Sequence, residues 1–147
     1  MKKNKFVTTL VIACCTFALW TACKKNPDPA PTPSAPACVA GHGGKVTFVV
    51  FPEHHGKPIF SHTNYLDSVY VKYNSTEYPA TGLKGFDTVF VGEVGEEHVH
   101  LVGMKCGQYY LYATGLDTTI HMRVKGGIPF KTDSTKGEID INVPVTE

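Results

Sequence analysis

From about residue 45 onward, apolar and polar positions alternate with a period of two, interrupted at short intervals by glycine and proline. Successive side chains of a strand point to opposite faces, so this period predicts half-buried β-strands. Residues 45–51 put Val46, Phe48 and Val50 on one face, and 66–74 group Val69, Val71 and Tyr73. Residues 86–94 are apolar on both faces (Phe86, Val89, Phe90, Val91), the pattern of a central strand. Residues 97–102 set Val99 and Leu101 against His98 and His100. Residues 108–114 set Tyr109, Leu111 and Ala113 against Tyr110 and Tyr112. Residues 118–124 set Ile120, Met122 and Val124 against His121 and Arg123, and 138–145 set Ile139, Ile141, Val143 and Val145 against Asp140 and Asn142.

These are seven segments with no helical pattern between them. Turn-forming residues separate them at 56–58, 79–85, 95, 103–107, 115–117 and 126–129. Short strands at this spacing predict an all-β, seven-stranded antiparallel Greek-key sandwich over residues 38–147.

Before residue 38 the pattern changes twice. Lys2, Lys3 and Lys5 precede an apolar run from Phe6 to Trp20, about 15 residues. A spanning helix needs roughly 20 apolar residues, so this run reads as the core of an export signal over 1–22. Thr21, Ala22 and Cys23 follow it. This stretch resembles the lipobox of bacterial lipoproteins, which implies cleavage before Cys23 and attachment of diacylglycerol to its sulfur. Trp20 stands where that motif prefers leucine, and Cys14 after Val11-Ile12-Ala13 offers a second match with a shorter apolar run. Acyl chains bury methylenes at about 0.8 kcal/mol each, so two or more anchor a protein without any transmembrane helix. Residues 23–37 hold the acylated cysteine and KKNPDPAPTPSAPA, a stretch with five prolines. It reads as a disordered or polyproline tether, reaching about 40 Å at roughly 3.1 Å per residue.

Composition limits the partners. Loss of residues 1–22 removes three lysines and no acid, leaving 11 basic against 13 acidic residues and a net charge of −2. No basic field suited to nucleic acid survives.

The run Leu101-Val102-Gly103-Met104-Lys105-Cys106-Gly107-Gln108-Tyr109-Tyr110-Leu111-Tyr112-Ala113 resembles the glycine-turn-then-tyrosine strand of carboxypeptidase regulatory-like and transthyretin-like β-sandwich modules. The opening 44–48 and closing 138–145 segments fit their first and last strands. The chain is further similar to small lipoproteins of Bacteroidota carrying a tract like Val124-Lys125-Gly126-Gly127-Ile128-Pro129-Phe130. The resemblance implies a fold and brings no catalytic residues.

Five cysteines are present. Cys14 and Cys15 leave with the signal and Cys23 takes lipid, so Cys38 and Cys106 remain as a candidate disulfide in an oxidising compartment, or as two unlinked thiols. Seven histidines are present. His98 and His100 are two apart on a strand and share a face, as the two ligands of a strand-borne zinc or copper site do. His121 is a candidate third ligand, with Glu96 or Glu97 as a fourth or as a supporting group. Solvated surface histidines are the alternative. His54-His55 lies in a loop where neighbours chelate awkwardly, and His42 lies in a glycine-rich segment.

Tyr70, Tyr110 and Tyr112, with Tyr65, fall on outward positions and are candidates for glycan or protein contact; cross-strand packing is the alternative. Residues 133–138 lack the alternating oxygens of a calcium loop. No Gly-x-Ser-x-Gly, phosphate loop or His-Glu-x-x-His occurs. The expectation is a non-enzymatic lipoprotein needing no cofactor, anchored in the bilayer of the outer membrane through Cys23. Its sandwich would contact an envelope protein or glycan. The alternative is a zinc- or copper-binding lipoprotein using His98, His100 and His121. Similar Bacteroidota lipoproteins exported to the cell surface often carry an acidic run after the acylated cysteine; none follows Cys23, so the resemblance implies the periplasmic face rather than the cell surface.

Overall fold

The computed structural model describes residues 38–147, which form one compact unit with its own core. The signal segment, Cys23 and the tether lie outside the described residues. The strands are β1 (His42–His54), β2 (Lys57–Pro58), β3 (Ser68–Tyr73), β4 (Thr88–Val91), β5 (Val99–Met104), β6 (Gly107–Asp117), β7 (Met122–Thr132) and β8 (Lys136–Val145). The only helical element among the described residues is a single 3-10 turn, Gly82–Gly85. No helix among them is long and apolar enough to cross a membrane.

Two sheets make a β-sandwich. In the first, β1 is central: β8 pairs with it along Lys45–His54, while β5 and the short β2 share its other edge. The second has the order β4-β3-β6-β7. After the β3–β4 hairpin the chain crosses to β5 in the other sheet, then returns as β6 beside β3, a Greek-key type of return.

The inward faces follow the alternation. Val46, Phe48 and Val50 of β1 meet Val69 and Val71 of β3, Tyr109 and Leu111 of β6, and Ile141 and Val143 of β8 in one buried cluster. Burying each such side chain contributes about 1.5–3 kcal/mol. Phe48 packs edge-on against Tyr109 and Phe130, with ring centroids 5.2 Å apart in each pair. The buried Tyr109 hydroxyl donates to the Lys105 carbonyl at 2.6 Å and accepts from the Gly41 amide at 3.2 Å. A disulfide joins Cys38 to Cys106 beside it, with Cα atoms 5.1 Å apart.

Three local expectations are corrected. First, β8 runs parallel to β1, so the first sheet is mixed rather than antiparallel. Second, residues 86–94 are not a central strand. Only Thr88–Val91 pairs, at the sheet edge, and Val89 and Val91 are about half exposed. Its outward apolar residues therefore face solvent, not a second layer.

Third, residues 118–121 are a turn, and the glycine-proline tract 126–129 lies inside β7. The Asp117 carboxylate accepts from both the amide and the hydroxyl of Thr119, which captures the chain in a local turn and ends β6. Pro129 is tolerated in β7 because, apart from a bridge between Lys125 and Thr146, the strand's other edge carries no ladder, so Pro129 has no bond there to lose. Gly127 is needed for close packing: a Cβ there would meet the Leu111 carbonyl at 2.7 Å and the Tyr110 hydroxyl at 2.9 Å.

Candidate functional site

The outer face of the β4-β3-β6-β7 sheet is aromatic. Because Val69, Val71, Tyr109, Leu111 and Ala113 point inward, their neighbours Tyr70, Tyr110 and Tyr112 point outward. Register places Val89, Tyr70, Tyr112 and Gly127 in one row across the four strands. The next row runs from Lys72 through Tyr110 to Pro129. The chain between β3 and β4 adds Tyr78 and Phe86. The Phe86 ring stacks on Tyr112 at 5.8 Å, Tyr78 meets Tyr112 edge-on at 4.9 Å, and Tyr70 lies 6.3 Å from Tyr112.

Five rings thus form one patch centred on Tyr112. Tyr78 is 41% exposed and the other four are half-buried, so the patch is a surface and not a second core. Burial, reinforced by the neighbouring Tyr78 hydroxyl, pushes the phenols of Tyr110 and Tyr112 up, keeping them neutral and able both to donate and to accept. The rim is charged. Lys72 pairs with Asp87 at 3.0 Å, and exposed Lys125 and Lys131 lie on β7. Tyr65 stands apart, under the Arg123 guanidinium at 5.1 Å.

His98 and His100 lie on the outer side of the other sheet, at a cleft of about 620 Å³ lined also by Glu93, Glu96, Glu138 and Thr47. Their ring centroids are 4.7 Å apart. The Nδ1 atom of His98 is buried without a hydrogen-bond partner, 3.9 Å from a Glu96 oxygen. His121 does not join them. It sits in the β6–β7 turn with φ of 55°, on the other sheet. Among the described residues, His98, His100 and His121 do not gather their donor atoms within 4.8 Å of one another. The expected three-histidine metal site is corrected accordingly, and the cause is the misplaced 118–124 strand.

A different imidazole is buried. The inward parity of β1 continues through Pro52 to His54, which is 4% exposed. Its Nδ1 lies 2.8 Å from Asp117 Oδ2, at the end of β6. Hydrogen bonds from the Thr119 and His54 side chains hold the Asp117 carboxyl down to about 2. The pair was missed because the β1 and β6 patterns were read as ending at residues 51 and 114. Extending both by parity would have brought a histidine and an aspartate to the same side. No protein family, curated protein or solved structure matches the chain.

Proposed function

We propose that the chain is an envelope lipoprotein, held at the outer membrane by an acylated Cys23, whose sandwich is a non-catalytic glycan-binding module. The observation that supports this is the five-ring patch of Tyr70, Tyr78, Phe86, Tyr110 and Tyr112 with its charged rim. A sugar ring has an apolar C–H face and a polar edge. The first suits an aromatic surface and the second suits tyrosine hydroxyls, Lys72 and Asp87. A patch of this size on one face is more than scattered surface apolarity.

The test is titration of residues 38–147 with soluble peptidoglycan fragments and with lipopolysaccharide. Saturable binding of one of them is expected, weakened at least tenfold by Tyr112→Ala, which is about 1.4 kcal/mol. No binding of either glycan at millimolar concentration, or equal binding by the variant, would refute the assignment. Circular dichroism verifies that the variant keeps its fold.

A further inference from the structure

At the end of the sandwich where β1, β6 and β8 finish, His54 is held in one tautomer. The Asp117 carboxylate is a pure acceptor: one oxygen faces His54 Nδ1 at 2.8 Å, and the other accepts from the Thr119 amide at 2.8 Å and from the Thr119 hydroxyl. The proton of the His54–Asp117 contact must therefore sit on Nδ1. In the neutral ring of that tautomer, Nε2 is the atom with a lone pair to offer a ligand. This nitrogen is buried and has no hydrogen-bond partner, although the side chain is almost completely enclosed.

What Nε2 faces is another electron-rich atom. Glu147 Oε1 lies 3.7 Å away, too far for a hydrogen bond. Two ligand atoms each about 2.0–2.1 Å from a tetrahedral ion stand roughly 3.3 Å apart, so this gap is close to the size of a cation. A third donor is present. His55 follows with φ of 52°, a left-handed turn that folds its ring back to 4.1 Å from that of His54. Ligand atoms of His54, His55 and Glu147 all lie within 4.8 Å of one another. A pocket of about 320 Å³, lined by His54, His55, Ile59, Phe60, Asp117 and Thr119, opens on the two histidines.

The geometry points to a divalent-cation site of the zinc class, with His54 Nε2, His55 and Glu147 as ligands and Asp117 as the group that orients His54. Two imidazoles and a carboxylate are borderline donors that suit Zn²⁺ over Mg²⁺ or Ca²⁺. An acceptor behind the ligating histidine fixes its ring and raises its basicity, the usual arrangement at such centres. Three protein ligands leave a fourth position for water or a small exogenous ligand. This site is independent of the aromatic face and stands or falls separately from it.

The experiment is calorimetric titration of chelator-treated residues 38–147, freed of any affinity tag, with ZnCl₂. One equivalent binding at micromolar concentration or below is expected. His54 is buried, so its removal can unfold the domain; exposed His55 and Glu147 carry the test. His55→Ala and Glu147→Gln should each weaken binding at least tenfold. Asp117→Asn should weaken it about 10–100-fold without changing the stoichiometry. The pair His98→Ala and His100→Ala should leave it unchanged. Nitrogen chemical shifts give an independent reading: the His54 Nε2 resonance should shift on zinc addition while Nδ1 keeps its contact with Asp117. Absence of binding at about 100 µM zinc, binding that survives His55→Ala and Glu147→Gln unchanged, or binding that needs His98 and His100 instead would each overturn the proposal.

Discussion

Asp67 has no well-formed hydrogen bond to either carboxyl oxygen, although it is fully buried just before β3; Ser61, His62 and the Leu116 backbone favour its charged form, and burial outweighs them. Asp67 cannot swing outward, because its amide donates to Ser61 Oγ at 3.0 Å and its carbonyl accepts from the Gly92 amide at 2.8 Å. Its carboxyl lies against β6 at Gly115, where a Cβ would stand 2.5 Å from Oδ1. Burial pushes its pKa from 3.8 up to about 6. Below pH 3.8 the group is neutral in folded and unfolded chains and has no effect. Between 3.8 and about 6 the unfolded chain releases the proton while the folded one keeps it, so stability falls as pH rises. Above 6 the cost is complete. At 1.36 kcal/mol per pH unit, a rise from 3.8 to about 6 makes it about 3 kcal/mol. That is a large part of the 5–15 kcal/mol that holds an ordinary domain together.

Asp67→Asn isolates the effect. Its amide leaves a buried donor unpaired, a cost that is the same at every pH. The informative quantity is the difference between the two proteins. Denaturant unfolding of residues 38–147 at pH 4 and pH 7 should show that difference moving by about 3 kcal/mol in favour of the variant, or about 12 °C in Tm. Other carboxylates work in the opposite sense. Asp117, held at about 2, contributes stability above pH 3.8 that is lost as pH falls towards 2; its contribution is common to both proteins and cancels. Parallel profiles within about 0.5 kcal/mol would refute the burial argument.

Two further predictions concern the end of the sandwich near Cys38. Replacing Cys38 and Cys106 together by serine opens a loop with a sequence separation of 68 residues and should cost about 4 kcal/mol, read as a lower urea midpoint. Tyr109→Phe keeps the ring against Phe48 but removes the hydroxyl bonded to Lys105 and Gly41, and should cost about 1–3 kcal/mol by the same measurement.

Period-two reading located the strands because the core is built by alternation. The parity that puts Val69 and Tyr109 inside also puts Tyr70, Tyr110 and Tyr112 on one outer face, so the aromatic residues were legible as a set. Tyr78 is not legible, since it reaches that face from a connecting segment with no period, and Phe86 reads as part of a central strand although it precedes β4. The parallel return of β8 was also hidden, because alternation fixes which side chains face inward and is silent about strand direction.

Local chemistry and tertiary packing then competed at one point, and the outcome decided the histidines. Thr118 to Val124 alternates as a strand should, yet Asp117 captures Thr119 and turns the chain before it can extend. Gly126 to Pro129 carries the residues of a turn, yet they serve close packing in an edge strand. Exchanging these two readings moves His121 from a strand to a turn and dissolves its association with His98 and His100. The same Asp117 that breaks the strand fixes the tautomer of His54 from the opposite direction. One carboxylate therefore removes the metal site suggested by alternation and orients the lone pair on which the inferred site depends.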